Sequence, residues 1–110
     1  MLIASRNLTF RQGGRTIPVE IRINLPIQQA RNDWSCHYEI DWPEGTERMV
    51  AGGFDSIQAL YIALQMIGAD LYTSACHKAG QLVFYKPGDG YGFPVPEGLR
   101  DLLVGMDAKY

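Results

Sequence analysis

Two Cys-His dipeptides, Cys36-His37 and Cys76-His77, are the first places in this chain to look for chemistry, because two thiolates and two imidazoles could complete a tetrahedral zinc site. The spacing argues against it. Cys36 and His37 lie in an alternating segment, where neighbours point to opposite faces of a strand and cannot reach one metal, and no C-x-x-C pair accompanies them. The reading is therefore no metal and no cofactor. Glu39, Asp41, Glu44 and Glu47 form a second cluster, of the kind that does acid–base work when its members sit in different environments. On an open strand face they stay solvated, so they read as surface or as an acidic recognition patch. Ser56 lacks a G-x-S-x-G elbow, and no nucleophile stands beside His77, so no catalytic residue is assigned.

The stretch GDGYGFPVP, residues 88–96, has the glycine density of a phosphate cradle. A cradle needs amides converging on an anion at a helix start, whereas this one runs into prolines that donate no amide. It reads as a lid in which Tyr91, Phe93 and Val95 pack over apolar surface. The alternative is a partner or ligand surface formed by Asp89 and Tyr91, with His77 just past a long helix and Arg6 as further members. In the bland reading of His77, it complements the helix C-terminus together with Lys78.

These residues are carried by elements that the pattern predicts. Gly13-Gly14 supplies a two-residue hairpin turn. Pairing Gln12 with Arg15 aligns Phe10 with Ile17, Leu8 with Val19, Ala4 with Ile23 and Leu2 with Leu25 on one face. Arg6, opposite Ile21, is the exception: a charge aimed at the core that must find a partner or reach the rim. DWSCHYEIDW makes a third strand. After PEGT, a fourth sets Met49, Ala51 and Gly53 against Ile40, Tyr38 and Cys36, with Arg48 facing Asp41. Pairing is expected to fail at Pro18, which has no N–H.

Asp55 caps a long helix with Gln58 three residues on. Its apolar stripe is read as Ile57, Leu60, Tyr61, Leu64, Ile67, Gly68 and Leu71, with Gly68 allowing close approach to the sheet. Ile62 and Met66 lie on the other side, to be covered by the C-terminal third or by a twin subunit. QLVFY, residues 81–85, reads as a fifth strand or arm, and PEGLRDLLVG as a short helix with Pro96 near its start. The fold class is α+β: a four-stranded antiparallel meander with one long helix on one face, plus a C-terminal strand or arm and a short helix. Residues 1–110 form a single domain.

The helix GFDSIQALYIALQMIGADLY, followed by HKAG and YGFPVP, resembles a family of small bacterial proteins catalogued as a domain of unknown function. The likeness runs from the ASRNLTF strand to the final short helix. It implies a stand-alone bacterial domain and carries no activity and no site residue with it.

Charge and composition bound the rest. A net charge of −2 argues against a nucleic-acid binder. No apolar run is long enough to span a bilayer, the N-terminus has no leader pattern, and the two cysteines have no framework spacing, which together read as no membrane and a cytoplasmic location. The first 31 residues carry Arg6, Arg11, Arg15, Arg22 and Arg31 against Glu20, while residues 32–70 are acidic, so neighbouring strands are expected to neutralise each other. The leading functional reading is a non-enzymatic protein-interaction module of the immunity, antitoxin or accessory kind, with a protein partner or a homodimer. The alternative is a small-ligand binder or enzyme using the groove between the helix end and residues 88–96.

Overall fold

Strand alternation and a pair of left-handed glycines start the fold. In the computed structural model, which describes residues 1–109, Gly13 and Gly14 take φ of 55° and 80° and join β1 (Leu2–Gln12) to β2 (Arg15–Asn24). The register runs Gln12 to Arg15, Phe10 to Ile17, Leu8 to Val19, Arg6 to Ile21 and Ala4 to Ile23, as the turn predicts. It slips at Ile3, so that Leu2 meets Asn24 rather than Leu25. A bulge adds one residue to one strand and turns the side chains beyond it.

The sheet has six strands, not four. After Pro26 the chain resumes as β3 (Ile27–Ala30), which pairs with the start of β4 (Asp33–Trp42), while β2 pairs with its end through Ile21–Ile40 and Ile23–Tyr38. Because β5 (Gly45–Gly53) occupies the other edge of β4 along its length, β3 continues β2 past a kink. Pairing does not fail at Pro18 on the β1 side, where it stays in register with Thr9, and the β2–β4 ladder ends at Ile21 before reaching it. Beyond the helices, β6 (Leu82–Val83) adds to the free edge of β1.

The β4–β5 register differs from the expected one by two residues. Trp42 pairs with Gly45, so only Pro43 and Glu44 turn the chain, and Met49 meets Tyr38, Ala51 meets Cys36 and Gly53 meets Trp34. Arg48 consequently pairs with Glu39 at 3.0 Å, and Asp41 is taken by Arg22 through two contacts of 2.5 and 2.9 Å. This ion-pair row lies on the polar face of the sheet and meets the expectation that basic and acidic strands neutralise each other. Arg22 holds the Asp41 carboxyl at about 2, with Thr46 helping.

Helix α1 (Ser56–Thr73) begins at Asp55, whose carboxylate accepts from the Gln58 amide, while the Gln58 side chain accepts from the Phe54 amide. The capping box is present as read. The buried face is rotated from the predicted stripe: Ala59, Ala63, Ile67 and Leu71 have no exposure, whereas Ile57 is 77% exposed and Tyr61 54%. Small residues decide this. A Cβ at Gly53 would strike the backbone of Ala59, so glycine in β5 and alanine in α1 set the close approach. Gly68 does not face the sheet as expected; a Cβ there would run into the carbonyl of Pro94.

The chain continues through α2 (Ala75–Lys78) and β6 into a strap, residues 88–109, that ends in two 3-10 turns, Glu97–Leu102 and Gly105–Lys109. Tyr91, Phe93 and Val95 are buried in the core with Leu8, Phe10, Val19 and Ile21. The apolar face of the sheet thus has two covers: α1, which packs on β4 and β5, and the strap beside it.

Candidate functional site

Arg6 shows how the strap is held. Its place opposite Ile21 turns it toward the core side, and its Nη1 donates to the carbonyls of Tyr91 (3.0 Å) and Gly92 (3.1 Å). The guanidinium lies 4.8 Å from the ring centre of Phe84 and 4.9 Å from that of Phe93. The anomalous charge of β1 is a clamp on residues 91 and 92.

The other jaw is Asp107, which sequence reasoning missed. Its carboxylate accepts from the amides of Tyr91 (2.7 Å) and Gly92 (2.8 Å) and from the Tyr72 hydroxyl (2.5 Å). No local pattern marks this residue, since its partners come from α1 and from a loop some fifteen positions earlier. Asp89 closes the strap on itself: its backbone carbonyl and its Oδ1 both accept from the Met106 amide at 3.1 Å.

His77 and Tyr91 meet as the alternative reading required. The His77 Nδ1 and the Tyr91 hydroxyl are 2.5 Å apart; the His77 ring meets Tyr72 edgewise, and the Tyr91 ring is tilted against it. Burial lowers the His77 pKa, which favours its neutral form, and raises the Tyr91 hydroxyl to about 12. A hollow of about 220 Å³ opens beside them, lined also by Phe84, Lys86 and Val104. Arg6, His77, Asp89 and Tyr91 are therefore drawn into one region, and each is engaged in holding the strap.

Cys36 is fully buried on the core side, and His37 lies exposed on the opposite face. Among the described residues no group of three or more metal-ligating side chains converges. Ile62 and Met66 are half-buried and pack against the core, while the strap crosses α1 at Gly68. Glu47 and Asp70 line a hollow of about 300 Å³ with Glu44 and Cys76. Glu47 Oε1 there is shielded from solvent without a hydrogen-bond partner, and burial followed by the Asp70 charge raises its pKa.

The two covers do not meet everywhere. Between α1 and the far end of the first hairpin lies a groove of about 480 Å³ lined by Ile3, Leu25, Pro26, Trp34, Ile57 and Leu60, with Ser56 as its one polar member. Composition alone did not reveal it, because Ile57 was assigned to the sheet-facing stripe.

An antiparallel sheet bearing one helix and a polar-clamped strap, with an apolar groove left open, defines a small α+β domain. The chain belongs to the family described as Domain of unknown function (DUF6968), whose model matches residues 4–95. That match takes in the sheet, both α-helices, and the strap as far as Val95. Comparisons with the curated proteins and with the solved structures each return no significant match. Among the described residues no helix is long and apolar enough to cross a membrane.

Proposed function

We propose that this protein is a non-enzymatic binding module whose working surface is the apolar groove between α1 and the first hairpin. One observation carries the reading: Ile57 is 77% exposed at the lip of a groove whose lining contains no charged side chain. Phe54, 73% exposed, precedes the helix cap, and Tyr61 follows Ile57 by one helical turn. Ile3 and Leu25, which line the same groove, are also exposed, and apolar side chains gathered on a surface in this way mark contact sites. His77, Asp89 and Tyr91 support the same reading from the other side, since their polar groups are engaged in holding the strap. A partner protein in a bacterial cytoplasm, of the immunity, antitoxin or accessory kind, fits such a surface.

The test compares affinity capture by the wild-type chain and by Ile57→Asp, with sedimentation run alongside. A partner retained by wild type and lost by the variant, at unchanged thermal stability, is the expected result. Equal capture by both would overturn the reading. Concentration-dependent dimerisation abolished by Ile57→Asp would make the occupant a second copy of the chain.

The runner-up reading, a small-ligand site or enzyme at the strap, is favoured by the hollow beside His77 and Lys86. At about 220 Å³ this lies below the roughly 300–1,000 Å³ of ordinary ligand pockets. A metabolite screen by thermal shift separates the two readings.

A further inference from the structure

We propose that Arg6 is the anion anchor of this groove, and that the partner segment lying in it carries a carboxylate that docks on the guanidinium. The proposal rests on the partner-binding reading above and names the chemistry of the partner.

A second hollow lies farther along the same two elements. Leu25 and Ile23 are two residues apart on β2 and its extension, Leu60 and Leu64 one turn apart on α1, and the second member of each pair lines a further hollow of about 120 Å³. Ala4, Ser5, Arg6, Ile21 and Phe93 complete that hollow. Taken end to end, the two hollows follow α1 from Ile57 to Leu64, and Arg6 is the one charged residue lining either of them.

That charge is held and not neutralised. An arginine has five N–H donors. Those on Nη1 serve the Tyr91 and Gly92 carbonyls, while Nε and Nη2 have no hydrogen-bond partner among the described residues. The ion pairs among the described residues belong to Arg22 and Arg48, and no carboxylate of the described residues pairs with Arg6. Two carbonyls and two aromatic faces fix the orientation of the fork, so little freedom is lost when it binds. A planar carboxylate matches the free edge, and a charge-assisted pair in an apolar hollow is stronger than a neutral hydrogen bond. A protein segment is favoured over a thin lipid chain because Phe54, Ile57 and Tyr61 stand proud at the lip, where a chain inside the groove would leave them wet.

The spacing is set by α1. From Leu64 to Ile57 is seven residues, about 10 Å at 1.5 Å per residue. An extended segment covers that in about three residues at ~3.3 Å each. The occupant therefore has an acidic side chain, or its C-terminal carboxylate, about three positions from the apolar side chain that meets Ile57.

A phage-displayed library of random twelve-residue peptides, panned on the full chain with Ile57→Asp as the counter-selection, tests this. The expected winners pair apolar residues with an acid at that spacing. In synthetic winners, changing the acid to its amide weakens binding at least about tenfold for wild type and less than about twofold for Arg6→Gln. Arg6→Gln keeps a donor for the strap. Should that variant fold poorly, the Arg6 Nε–H resonance of wild type gives the same answer: it shifts on titration with the acidic peptide and stays still with the amide. Winners that need the groove yet are indifferent to neutralisation overturn the anchor and leave the binding-module reading in place. Recovery only of peptides insensitive to Ile57→Asp, or of none, overturns both. Saturable binding of decanoate in the groove without any peptide binding would make the occupant an amphiphile and overturn the proposal.

Discussion

The helix and the strap cover one sheet face by different physics. Under α1 the contact is apolar and close: Ala59, Ala63, Ile67 and Leu71 have no exposure, and Gly53 lets the backbones approach. A polar bond crosses it from the Tyr38 hydroxyl to Asp70 at 2.6 Å. Under the strap three apolar side chains are buried, and polar groups from the two ends of the chain grip a two-residue stretch: Arg6 its carbonyls, Asp107 its amides. Burial of aliphatic groups stabilises the helix wherever water is excluded, whereas the strap depends on a few directional bonds that one substitution can remove. The strap is therefore expected to open before the helix does.

Ile67→Ala breaks the helix side. It empties a site with no exposure and is expected to cost about 2–5 kcal/mol of global stability, as for other large-to-small core changes, measured by denaturant melts with an unchanged slope. Asp107→Ala breaks the strap side. The Tyr91 and Gly92 amides and the Tyr72 hydroxyl lose their acceptor, which is expected to cost about 1–3 kcal/mol, less where water reaches the exposed Gly92. This loss is local, so a near-ultraviolet tyrosine signal changes before the far-ultraviolet helix signal does.

Glu47→Gln is the smallest and has the opposite sign. Burial raises the folded-state pKa of Glu47 above 4.5, so the folded chain holds that proton more tightly than the unfolded one. Wild-type stability accordingly falls as pH rises past 4.5. The variant should be the more stable of the two at pH 7 and lose that advantage by pH 4, read from paired thermal melts. For Asp41 the sign reverses: its lowered pKa contributes stability above 3.8 that is lost as pH falls toward about 2.

Legibility in the sequence follows the same division. Gly13-Gly14 with period-two alternation fixed a register that holds through Arg6–Ile21 and Ala4–Ile23, and it exposed Arg6 as a charge needing a partner. Asp55 and Gln58 marked the helix start. The facing of α1 was not legible, because Ala59 and Ala63 weigh little on any hydrophobicity scale although close approach selects them, while Ile57 and Tyr61 weigh much and lie outside. The β4–β5 register depended on whether PEGT turns in four residues or two, and Gly45 pairing with Trp42 settles it as two. The strand after Pro26 was hidden by the kink. Asp107 could not be found, since a carboxylate that serves amides elsewhere in the chain leaves no periodicity behind.

Amide hydrogen exchange in Asp107→Ala tests the division most directly. The amides of Tyr91 and Gly92 should exchange at least about tenfold faster than in wild type, while those of Ala63 and Ile67 keep the protection set by global unfolding. Equal loss of protection in both places would mean that strap and helix are one cooperative unit, and would contradict the account.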